Sequence, residues 1–257
     1  MAEKPSEYLR RLASRVAALP VEPPSGAYQY TKTWGWWLNT AADAPGGAVN
    51  AAVPTVTESW VDQQDAGRRL ETYGDPIFPD PQREQAAREA KLVQGKKIED
   101  ETYVAGAFPG SGPPWSRLGS LSQNPEELAR QLKRVNWEGG LIIFGISDML
   151  QYTGRSGPVA PGLRSAALRV LADFPGLSVS TATTWKGRTV VAVTQEEAWR
   201  GSTKRSSVFF DPRTGYPVGT EEALFGSPLK LNVNVPATLS VVETLERAPV
   251  TNTDERP

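Results

Sequence analysis

The chain has 257 residues, 39% hydrophobic and 22% charged, enough apolar material to bury a sizeable core in one large domain or two close ones. Its 28 lysines and arginines stand against 29 aspartates and glutamates, so no global basic field invites nucleic acid. Histidine and cysteine are both absent, which removes imidazole bases, thiolate nucleophiles, disulfides and the common zinc ligand sets together.

In chain order, "PSEYLRRLASRVAALP" predicts a helix over 5–19, because Leu9, Leu12, Val16 and Leu19 recur at three- and four-residue intervals, with Ser6 placed to cap it and Pro20 to end it. From Tyr28 the period changes to two. Tyr28, Tyr30, Trp34, Trp36 and Leu38 share one face of a strand, while Trp37 breaks the alternation and marks a bulge or an exposed aromatic. "TVTESWVDQQ" and "RRLETYGDP" continue the pattern after a long hairpin-like loop, giving an antiparallel meander over 27–73.

The stretch 81–175 predicts a helical block: a short polar helix in "PDPQREQAAREAKLVQG", a Pro/Gly-rich excursion without regular structure, then three helices. In the first of the three, Asn124 is a natural N-cap, Pro125 fits the first helical position and Glu127 completes a capping box. Leu141–Leu150 is apolar but only about half a membrane span long and carries Asp148. Met1–Leu19 is too charged for a signal peptide. Strands return over 177–248, separated by short turns, and residues 251–257 read as a flexible tail. The order of elements predicts one α+β domain over 1–250 around an antiparallel sheet.

No motif carries a recognisable chemistry. "PGSGPPW" lacks the Lys-Ser/Thr ending of a phosphate loop, and "GISDM" puts Ser147 beside Asp148 without an available imidazole. Glu196/Glu197 and Glu221/Glu222 are adjacent on strands and so point to opposite faces, and the cluster Ile98–Glu101 has no calcium-loop spacing. The expectation is no catalytic residue, no metal and no cofactor. What stands out is eight tryptophans. Tyr30, Trp34, Trp36 and Trp60 are the candidate ligand-binding wall, lining either a cavity or a filled core, and Ala105–Leu121 is the candidate gate.

Three segments, "SLSQNPEELARQL", "APGLRSAALRVLADFPGLSV" and "SVFFDPRTGYPVGTEE", follow an N-terminal "LASRVAALP…PPSGAYQYTKTW". In that order they resemble an uncharacterised actinobacterial family of single-pass membrane proteins encoded beside extracytoplasmic-function sigma factors. That resemblance implies an extracytoplasmic domain anchored by an N-terminal membrane helix that this sequence does not contain. The strand, "DPRTG" turn and following strand are also similar to periplasmic lipoprotein carriers and regulators of anti-sigma factors. Those have a curved antiparallel sheet, a half-barrel, with helices packed on its concave side, and some hold acyl chains there. The expected function is a non-enzymatic ligand- or lipid-binding sensory domain in sigma-factor or envelope-stress signalling, its partner an apolar small molecule or lipid. The alternative is a protein–protein interaction module with a filled core, its partner a membrane-bound regulatory protein. A third class, a histidine-free hydrolase, requires a Ser–Lys or carboxylate pair in a pocket.

Overall fold

The alternating segments assemble into one ten-stranded antiparallel sheet. The computed structural model describes residues 4–23, 25–93, 95, 97–109, 120–134, 142–227 and 231–257. The strands are β1 (Tyr28–Ala41), β2 (Val49–Ala52), β3 (Thr55–Val61), β4 (Gly67–Tyr73), β5 (Ile98–Tyr103), β6 (Leu177–Thr183), β7 (Thr189–Trp199), β8 (Ser202–Phe210), β9 (Pro217–Phe225) and β10 (Ala237–Val250). Their spatial order is β5-β4-β3-β1-β10-β9-β8-β7-β6, with β2 paired to the end of β1. The two meanders are therefore joined at the centre by β1 and β10, the two longest strands. This is the α+β architecture expected from the order of elements.

The helices are α1 (Pro5–Ala17), α2 (Glu84–Glu89), α3 (Pro125–Arg134), α4 (Ile142–Gly154) and α5 (Pro161–Ala172). α1 begins at Pro5 rather than after Ser6, because proline has no amide to lose in a first turn, and Lys4 takes the cap position. At α3 the Asn124 carboxamide oxygen accepts from the amides of Glu126 and Glu127, both at 3.0 Å, as the capping signature predicts. Among the described residues no helix is long and apolar enough to cross a membrane.

Register fixes which face the helices cover. Val179, Val193, Val208, Thr220, Val242 and Gly35 are successive cross-strand partners, so they share one face. Val193 and Val208 are sealed against Leu9, Leu12 and Val16 of α1, Leu128 of α3, Ile146 and Leu150 of α4, and Leu168 and Leu171 of α5, all at most 1% exposed. α2 packs its Ala87 on Val49 and Ala51 of β2, on that same face.

Two features depart from expectation. The segment 81–175 is not purely helical: Ile98–Tyr103 is an edge strand paired with β4. Its acidic residues disguised it, yet Glu99, Asp100 and Glu101 are what an edge strand tolerates and what keeps other strands away. Nor do residues 251–257 trail freely. The Trp60 indole donates to the Glu255 carbonyl at 2.7 Å, Arg68 pairs with Asp254 at 2.6 Å, and Arg256 pairs with Glu58 at 2.7 Å. At the opposite edge, β6 pairs with β7 alone among the described strands and has no charged residue in "LSVSTAT".

Candidate ligand-binding cleft

Trp34 and Trp36 flank Gly35 and therefore point away from the helices, as do Tyr30 and Trp60, which are direct partners across β1 and β3. The four aromatics expected to form one wall thus lie on one face, but it is the face opposite the helices. There the chain itself covers them. Tyr30 and Trp60 are fully buried with ring centroids 5.2 Å apart, and the guanidiniums of Arg68 and Arg256 lie 5.5 and 5.2 Å from the Trp60 ring centroid. The Tyr30 hydroxyl donates to Glu58 at 2.6 Å. Burial and that carboxylate push the phenol above its ordinary range, while the hydrogen bond from Arg256 is the main cause that holds Glu58 below the usual carboxylate range.

Trp34 and Trp36 are covered differently. The turn between β6 and β7 folds over this face, setting the Trp185 ring 6.4 Å from Trp34 and 5.9 Å from Trp36. Lys186 lies 3.8 Å from the Trp34 ring centroid, its amide donates to Glu243 at 3.1 Å, and the Trp185 indole donates to Glu221 at 2.6 Å.

The open space is on the helix face, over the other half of the sheet. A cleft of about 690 Å³ lies above β1, β3 and β4 beside the end of α2. Its floor is hydroxyl-rich: Thr33 of β1 with Thr55 and Thr57 of β3. Gly35 keeps that floor low, because β1 and β10 approach so closely that a Cβ would sit 2.4 Å from the Val241 carbonyl oxygen. One side carries Trp37 and Asn39, and Trp37 is 57% exposed. Of the two readings of Trp37, an exposed aromatic fits: the bulge in this pairing lies at Lys32/Thr33 instead. The other side carries Arg69, Glu71 and Tyr73, with Lys91 and Leu92 at the α2 end. None of Tyr30, Trp34, Trp36 and Trp60 lines this cleft.

Glu71 is the carboxylate best placed for chemistry, and its acceptor sites are taken. It receives the Arg69 guanidinium, the Thr57 hydroxyl at 3.1 Å and the Tyr73 hydroxyl at 2.9 Å, while Tyr73 also contacts Glu99 at 3.1 Å. A carboxylate so engaged fixes the cleft wall. The other sequence pairs resolve the same way. Glu196 pairs with Arg205 at 2.7 Å, Glu197 and Glu222 share Lys204 at 2.9 and 3.0 Å, and Asp100 takes a bidentate Arg68. Ser147 is buried and accepts from the Gln151 side chain at 2.9 Å. Of the candidate gate Ala105–Leu121, residues 110–119 lie outside the described residues; its first part is tied to the β3–β4 turn, Gly106 donating to the Gln64 carbonyl at 2.8 Å. Among the described residues no group of three acidic side chains is placed to hold a metal ion.

Sequence reasoning counted tryptophans and missed that Trp37, the one out of phase, is the one on the cleft. The available signal was the alternation itself: Thr33, Gly35 and Asn39 are small or polar partners of Trp37, as an open surface requires.

No family model matches the chain, and no curated protein matches it. Among solved structures it overlays on MucB in complex with MucA(peri) with TM-score 0.31 and 11% identity, covering 98% of this chain and 58% of that one. The Pseudomonas aeruginosa MucA/MucB complex gives TM-score 0.28 and 10% identity, with 97% and 59% covered. A putative outer membrane lipoprotein-sorting protein domain from Vibrio parahaemolyticus gives 0.18 and 10%, with 95% and 91% covered. The chain spans less than two thirds of the two MucA/MucB chains it matches. These overlays are distant and assign neither a family nor a function.

Proposed function

We propose that this chain is a non-enzymatic, extracytoplasmic ligand-binding domain of a membrane-anchored signalling protein, and that its ligand is a small polar molecule held in the cleft over β1, β3 and β4. The observation that carries this reading is the cleft's lining: one exposed indole, Trp37, facing threonine hydroxyls and the fixed Arg69–Glu71–Tyr73 wall. An indole offers a flat apolar platform, and the hydroxyls and amide supply directional hydrogen bonds, which together favour a hydroxyl-bearing or peptide-like ligand over an acyl chain. Tyr30, Trp34, Trp36 and Trp60 then serve as the rigid back of the site, holding β1 and β3 from behind. The extracytoplasmic placement is supported by the resemblance of the three sequence segments. A signal arises only if the ligand prefers one arrangement of the cleft wall and the adjoining loop.

A second reading has its own observation. Between α3, α4 and α5 lies a groove of about 540 Å³ lined by Leu132, Ile142, Val170 and Phe174, the last 39% exposed. This favours an interaction module whose partner inserts apolar side chains between helices. Fluorescence titration separates the two. Soluble oligosaccharides and short peptides should quench emission saturably in the parent protein and not in Trp37→Ala. A response confined to 1-anilinonaphthalene-8-sulfonate, lost in Phe174→Ser and kept in Trp37→Ala, would replace the first reading by the second.

A further inference from the structure

A third cleft, of about 270 Å³, lies where the "DPRTG" turn meets the end of α4, and its chemistry is unlike the other two. Four arginines line it, Arg164, Arg188, Arg213 and Arg247, against the carboxylates Glu22, Asp211 and Glu246. Two of those carboxylates are already engaged. Asp211 pairs with Arg188 at 2.6 Å and Glu246 with Lys32 at 3.7 Å. Three guanidiniums therefore remain against Glu22, an excess of two positive charges.

The placement of these groups is built rather than incidental. Arg164, on α5, is only 4% exposed; it donates to the Thr214 carbonyl at 2.8 Å, and its Nε is buried without a hydrogen-bond partner. Arg247, on β10, donates to the carbonyls of Gly154 and Gly157 and stacks its guanidinium 4.2 Å from the Tyr216 ring centroid. Gly154 lies tight against both groups: a Cβ there would press on the Tyr216 hydroxyl and the Arg247 guanidinium and displace them. Neither Arg164 nor Arg247 forms an ion pair among the described residues; carbonyls accept from one nitrogen of each guanidinium, the Arg164 Nε–H stays without an acceptor, and no carboxylate pairs with either charge. Burial, with Arg247 nearby, lowers the Arg164 pKa against the pull of Glu22. A buried guanidinium without a counter-ion is unfavourable, and an anion in the cleft would relieve it.

We propose that this cleft binds a dianionic oxyanion of phosphate type, held by Arg164, Arg213 and Arg247. The fork geometry of guanidinium suits such an oxyanion, and the volume accommodates one such group, not a chain attached to it. The same chemistry is offered by free phosphate and by a phosphomonoester head group whose remainder stays outside. This site is separate from the cleft of the preceding reading and stands or falls independently.

The test uses inorganic phosphate as probe, with chloride at equal ionic strength as control, followed by phosphorus-31 line width and by thermal stability. Saturable broadening with a raised melting temperature supports a site for free phosphate. Co-sedimentation with phosphatidic acid vesicles but not phosphatidylcholine vesicles, without a response to free phosphate, supports a head-group site. Arg213→Gln, on an exposed side chain that leaves the fold intact, should weaken whichever response is seen about tenfold, the loss of one charge-assisted contact. Arg247→Gln should weaken it further. No response to either probe, or an undiminished response in Arg213→Gln, overturns the proposal.

Discussion

The two halves of the helix-bearing face are built from opposite materials. Over β7 and β8 the inward residues Val191, Val193, Val208 and Phe210 are sealed by α1, α3, α4 and α5 to near-zero exposure. Over β1, β3 and β4 the inward residues are threonines, a glycine and an ion-paired glutamate, and the space above them stays open. One continuous sheet thus supplies a solid half that carries stability and a wet half that is free to bind. The back of the wet half explains how it stays in place: there the aromatics of β1 and β3 are clamped by the 251–257 segment and by the Trp185 turn.

This contrast can be broken by mutation, beginning with the largest effect. Leu168→Ala in the solid half should lower unfolding free energy by about 2–5 kcal/mol in urea denaturation, the usual range for a fully buried leucine. A loss as small as that of a surface substitution would mean the helices are not what holds this half together. Ending the chain at Thr251 should cost about 2 kcal/mol, by leaving the Trp60 indole N–H without its acceptor and removing the Arg256 stack. Its signature is a red-shifted tryptophan emission, and an unshifted spectrum would show that the segment does not shield Trp60.

Acid provides a graded test of the same clamp. Glu58 is held below its ordinary pKa in the folded protein, so the stability it contributes is complete above its unfolded value, near 4.3, and disappears as pH falls through the folded value. Glu58→Gln should therefore flatten the decline of stability with falling pH, measured by denaturation across that interval; an identical pH slope in both proteins would remove Glu58 as a source. The smallest effect belongs to the wet half. Trp37→Ala should change stability by within about 0.5 kcal/mol while abolishing the ligand response, and a large destabilisation would show that Trp37 is part of the fold's support.

Much of the fold was legible because its signals are local. Period-two alternation gave β1, β3 and β4, and Asn124 with Pro125 gave the start of α3. β5 was hidden because edge strands carry charges that read as loop. The site was less legible. Alternation puts Trp34 and Trp36 on a common face but says nothing of which face the helices choose; that is set by Val208 and Val193, three and four strands away in the sheet. The cluster around Arg247 draws on α4, α5, β10 and the turn after β8, four pieces of chain that no spacing rule relates.

The unlike borders of the sheet bear on how copies of this molecule meet. A second β5 laid against the first would bring carboxylates together, so lateral growth on that side is self-limiting. β6 offers neutral serines, threonines and a single valine and no such repulsion. Strand addition, whether by a neighbour in a crowded compartment or by an extended peptide, is thereby confined to a single flank, which leaves the wet cleft at the far side unobstructed.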